Sequence, residues 1–70
     1  MVGDNIRKYR QAKNLTQAEL AERIFVSTKS VGRWERNENF PGMEMLKTVA
    51  NELDVDVLDL LMDDGHSRTK

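Results

Sequence analysis

Thr16-Gln-Ala-Glu-Leu-Ala-Glu-Arg-Ile-Phe-Val-Ser-Thr-Lys-Ser-Val-Gly-Arg-Trp-Glu35 is the stretch on which the fold turns. Two helix starts lie within it. Thr16 with Glu19 three residues later forms a capping box, in which the hydroxyl and the carboxylate each satisfy one orphan backbone amide. Ser27 is a second N-cap. The first helix presents Leu20, Ala21 and Ile24 on one face, and the second presents Val31 and Trp34. Only two or three residues separate the helices, which forces a sharp crossing rather than an antiparallel hairpin. Such a crossing needs a small residue at the contact, and Ala21 stands there. It also needs apolar side chains from both helices beneath the turn, which Leu20, Ile24, Val26, Val31 and Trp34 supply.

Outward from this unit the chain reads as further helices. Upstream, Asp4 to Lys13 forms a helix with Ile6 and Tyr9 on one face. It stops at Asn14, a residue type that tolerates the left-handed conformation. Downstream, Asn37 to Gly42 is a loop containing the single proline, Pro41. A fourth helix runs from about Met43 to Leu53, with Met43, Leu46, Val49, Ala50 and Leu53 as its apolar stripe. Asp56 then caps a short fifth helix carrying Val57, Leu60 and Leu61. The pattern predicts an all-α, compact five-helix bundle around one core of Ile6, Leu20, Ala21, Ile24, Val31, Trp34, Leu46, Val49 and Leu53. A chain of 70 residues supports one such core and no second. Residues 1–62 form this domain, and residues 63–70 read as a polar C-terminal tail, disordered or a linker.

Composition narrows the function. Hydrophobic residues make up 39% and charged residues 33%, the balance of a globular chain. There is no cysteine, so no disulfide or thiolate metal site can form. No apolar run approaches a membrane span, and no signal-like segment precedes the first helix, so a cytoplasmic location without membrane contact is expected. The single histidine, His66, sits in the tail, so neither a catalytic triad nor a histidine metal site can be assembled. The run Asp54, Asp56, Asp59, Asp63, Asp64 lacks the spacing of a calcium loop. No enzyme activity, cofactor, metal or small-molecule ligand is expected. The net charge of −1 is divided unevenly. Up to Arg36 there are eight basic residues against four acidic, a net +4; beyond it there are three against eight, a net −5. One half thus suits a polyanion and the other repels it.

The segment from Thr16 to Glu35 resembles the helix-turn-helix of Cro/cI-type (XRE-like) repressors. The likeness runs from Ile6 to Leu61 and includes Arg10, the Asn14-Leu-Thr-Gln17 entry, the Trp34-Glu35 pair, Pro41 and the Leu53-x-Val55 exit. It implies a lambda repressor-like DNA-binding domain, a transcriptional regulator of repressor type, with the third helix in the major groove of double-stranded DNA. Two departures stand out. The family usually has glycine in the turn where this chain has Phe25, which either reshapes the turn or strains it. Phe25 is expected to fold over the edge of the core. Gly32 lies inside the third helix, either to let the backbone approach DNA or as a tolerated surface position. Asn37 and Asp54 replace glycine with residue types that accept the same conformation.

The resemblance places base-reading side chains at Thr28, Lys29 and Arg33, which lie opposite Val31 and Trp34 together with Gly32. Arg33 can make two parallel bonds to guanine, Lys29 can do so less rigidly, and the Thr28 methyl can meet a thymine methyl. Gln17 takes the family's phosphate-binding position, with Ser30, Arg10, Asn37 and Asn39 as further phosphate candidates. Arg10 has a competing and favoured role, an ion pair with Glu35 that joins the first helix to the third. Since one recognition helix reads few base pairs, a weak homodimer formed on DNA is expected, with Leu58 and Met62 as its exposed stripe. The alternative is an antitoxin-like or other protein-interaction module on the same fold, served by Phe25 and the acidic half.

Overall fold

The structure, a computed structural model, describes residues 1–62, and the expected tail lies outside the described residues. Five helices follow one another: α1 (Val2–Ala12), α2 (Gln17–Arg23), α3 (Thr28–Glu35), α4 (Met43–Glu52) and α5 (Val57–Leu61), with no strand among the described residues. The Thr16–Glu19 capping box is present in both directions, and Ser27 Oγ accepts from the Ser30 amide. α1 begins two residues before Asp4, with the Asn5 amide donating to the Met1 carbonyl at 3.1 Å, and Gly3 in its first turn permits a close contact. The Gly3 amide donates to Asn37 Oδ1 at 3.0 Å, and a Cβ there would stand 2.0 Å from the Trp34 carbonyl oxygen. α1 can therefore lie directly against the end of α3.

The first four helices end alike. Asn14, Phe25, Asn37 and Asp54 all have φ between 59° and 62°. In each case the following amide reaches back five residues: Leu15 to Arg10, Val26 to Ala21, Glu38 to Arg33 and Val55 to Ala50, at 2.9–3.1 Å. This is the Schellman closure that glycine usually supplies. Asn and Asp adopt it at little cost, whereas a bulky residue is strained by about 1–2 kcal/mol. Phe25 keeps the turn sharp and does not cover the core. Its left-handed backbone turns the ring outward, leaving it 94% exposed.

Twelve apolar side chains form the core: the nine expected, with Leu15, Ala50 and Leu60. Met43 departs from its expected stripe: at the first position of α4 it is exposed, while Met45, two residues on, packs against the core. α1 packs on α3 and α5, α2 on α3, and α4 on α5. Exposed ion pairs stitch the periphery, Arg23 to Glu52 at 3.1 Å and Lys13 to Asp54, each adding little by itself. Asn5 is buried, and its Nδ2 donates to the carbonyls of Leu60 at 2.9 Å and Met62 at 2.8 Å. It thereby closes the end of α5 from the first helix.

Two substitutions test this arrangement by urea denaturation. Phe25→Gly should raise stability by up to about 1 kcal/mol, the relieved strain being partly offset by greater freedom of the unfolded chain. A lowered midpoint would mean that the ring packs. Ala21→Leu should cost about 1–3 kcal/mol by overpacking the α2–α3 crossing.

Candidate nucleic-acid interface

α3 has two unlike sides. Val31, Trp34 and Glu35 are buried, while Thr28, Lys29 and Arg33 are exposed. None of the three exposed side chains hydrogen-bonds or forms an ion pair among the described residues. Lys29 and Arg33, four apart, repel each other by a few tenths of a kcal/mol, which folding does not require. Gly32 departs from the outward position expected of it. It is buried because two side chains lie over it: a Cβ there would stand 3.2 Å from Arg36 Nη1 and 3.5 Å from Gln17 Oε1.

Behind this face sits a buried carboxylate. Glu35 Oε2 accepts from Arg10 Nε at 2.6 Å and Oε1 accepts from Arg10 Nη2 at 3.0 Å, a forked ion pair between α1 and α3. Arg10 Nη1 donates to the Leu15 carbonyl at 2.6 Å. Glu35 Oε1 takes a further bond from Gln17 Nε2 at 3.0 Å, which brings in α2. One carboxylate thus joins three helices. Side-chain exposure is only 10% for Arg10 and 3% for Glu35, so the pair stands in a medium where each charge depends on the other. Arg10 is accordingly withdrawn from the set of phosphate candidates, because its guanidinium is buried and every nitrogen is already donating.

The remaining phosphate candidates differ in what they have free. Gln17, half-buried in the first turn of α2, commits one Nε2 hydrogen to Glu35 and keeps the other. Ser30, half-buried, accepts from Ser27 Oγ at 3.0 Å and keeps its own hydroxyl hydrogen. Asn37 uses its oxygen on Gly3, and Asn39, exposed, uses its oxygen on the Phe40 amide at 2.9 Å; each retains its NH2 group. Leu58 and Met62 are both exposed on α5 and at its end, beside exposed Leu61. No trio of His, Asp or Glu converges among the described residues.

Sequence reasoning missed Asn5 and Arg36. Arg36 pairs with Glu38, Nε to Oε2 at 2.8 Å and Nη2 to Oε1 at 3.2 Å. This hydrogen-bonded pairing raises the Arg36 pKa and holds the Glu38 carboxyl below the usual range. Residues two apart do not face each other on a helix, so spacing gave no sign of it. The left-handed turn at Asn37 folds Glu38 back onto Arg36.

Residues 6–60 match the family described as helix-turn-helix. The chain belongs to the Cro/cI-type helix-turn-helix family. Among its curated relatives, the transcriptional activator BcrR of Enterococcus faecalis is 36% identical over 58 residues, 83% of this chain and 28% of BcrR. The transcriptional regulator SinR of Bacillus subtilis is 37% identical over 67 residues, 94% of this chain and 60% of SinR. The chain thus spans less than a third of BcrR and 60% of SinR. In structure, this helix-turn-helix domain superposes on SinR, the master regulator for biofilm formation, crystallised in complex with DNA. That match has a TM-score of 0.83 and 36% identity, over 89% of this chain and 100% of that one. No helix among the described residues is long and apolar enough to cross a membrane.

Because Glu35 is the carboxylate that balances the buried Arg10 among the described residues, Glu35→Ala should destabilise the fold by about 3–5 kcal/mol, measured by thermal or urea unfolding. A loss below about 1 kcal/mol would mean that water reaches Arg10 in the folded state.

Proposed function

We propose that the chain binds duplex DNA sequence-specifically as a transcriptional regulator, acting as a repressor in the cytoplasm and catalysing no reaction. The observation that carries this reading is the exposed Thr28, Lys29 and Arg33 face on a helix whose opposite side is locked into the core. Two like charges four residues apart on a rigid helix cost the fold a little, and a polyanion compensates both. Membership of the helix-turn-helix family and the likeness to a regulator crystallised with DNA support it. Arg33, Lys29 and Thr28 read base edges, while Gln17, Ser30, Asn37 and Asn39 meet phosphates and set the register.

Binding should weaken steeply with salt, since each neutralised phosphate releases counterions. Arg33→Ala should cost about 1–3 kcal/mol on the preferred site and relax preference at one base pair, while random duplex is affected less. Equal losses on both duplexes in a fluorescence titration would refute base reading by Arg33.

Assembly follows from the shortness of one recognition helix. Two copies meet through Leu58 and Met62, weakly in solution and firmly on DNA, which places two α3 helices about 34 Å apart on one face of the duplex. Selected sites should be inverted repeats with centres about 10 base pairs apart. Leu58→Glu should abolish cooperativity on them; cooperativity that persists would place the contact elsewhere. The exposure of Phe25 favours a second reading, an antitoxin-like domain that holds a protein partner at the α2–α3 turn. Such binding would bury an apolar ring and be nearly indifferent to salt.

A further inference from the structure

We infer that Glu35 is a positioning residue for DNA binding, holding the Gln17 amide where its free N–H meets a phosphate. The inference rests on the DNA-binding reading and deepens it at one side chain. A glutamine at the first turn of a helix ordinarily samples several rotamers, and ordering it on a ligand costs entropy. Here Gln17 Nε2 already donates to Glu35 Oε1 at 3.0 Å, and that oxygen is itself fixed by Arg10. The amide also lies over Gly32, where a Cβ would stand 3.5 Å from Gln17 Oε1, at ordinary contact distance. A primary amide has two hydrogens, so one can anchor on the carboxylate while the other stays available to a second anion. The buried ion pair is thereby coupled to the surface. α1 supplies the cation, α3 the carboxylate and α2 the group that touches the ligand.

The test combines the free protein with a double-mutant cycle. Gln11 and Gln17 are the two glutamines of the chain, and Gln11 is exposed, so their side-chain amide signals are easily told apart by NMR. Without DNA, the Gln17 amide hydrogens should exchange with solvent more slowly than those of Gln11; equal exchange would overturn the inference. Gln17→Ala should weaken binding about tenfold on preferred and random duplex alike, as loss of one charge-assisted bond does. Arg10→Met with Glu35→Met replaces the buried pair by apolar side chains of similar length, a change that folds commonly tolerate. This variant should lose a similar factor on both duplexes, and adding Gln17→Ala to it should change little. If Gln17→Ala costs the same tenfold in both backgrounds, Glu35 does not position it. Should the double variant fail to fold, the exchange comparison in the parent decides. A parent that binds no duplex at all overturns the DNA reading along with this inference, whereas binding with additive losses overturns this inference alone.

Discussion

The Glu35 carboxylate takes four constraints into one buried point. It neutralises Arg10, it ties α1 to α3, it holds Gln17 of α2, and through Arg10 it fixes the carbonyl of Leu15 where the chain enters the turn before α2. A buried ion pair is not by itself a source of stability, since removing two charges from water offsets much of their attraction. What it provides is orientation. Apolar cores accept small slides between helices, but a forked bond to a guanidinium does not. The relative placement of the three helices that build the exposed face of α3 is therefore set by directional bonds as well as by packing.

That distinction explains how the rest of the molecule is arranged. The core side chains would fit several nearby packings, and each link with strong directionality excludes some of them. Asn37 accepting from Gly3 fixes the end of α3 on the start of α1, where the absence of a Cβ at Gly3 is a steric necessity. Asn5 fixes the end of α5 from the same helix. α1 is thus the element against which the others are registered, although it offers no side chain to the candidate interface.

Much of this was legible in the sequence, for definite reasons. Helix starts were readable because Thr16, Ser27 and Asp56 are local signals with one main use, and the core because its spacing repeats with the helical period. The Arg10–Glu35 pair was legible only through family resemblance, as nothing in the spacing of residues 25 apart announces contact. Phe25 was misjudged because burial was inferred from side-chain type, whereas the backbone conformation decides where the ring points. Gly32 was expected to face outward from its period, yet it is buried, because the neighbours that cover it, Gln17 from another helix and Arg36 from the end of its own, leave no periodic trace. Asn5 and Arg36 were invisible for a related reason. Their partners are brought to them by the tertiary fold and by a left-handed turn, and neither leaves a periodic trace.

Asn5 has a topological consequence. Its amide touches the carbonyls of Leu60 and Met62, so the start of α1 and the exit from α5 lie within the reach of one side chain, though 55 and 57 residues apart along the chain. Such closeness of the first and last described helices is the geometry that circular permutation of a domain needs. A short linker could join Met62 to Val2, and the chain could be reopened in the loop between Asn39 and Gly42 without cutting a helix. The recognition face and the residues that hold it would then be carried near one terminus and α4 near the other. The order of synthesis would change while every helix–helix contact stayed the same.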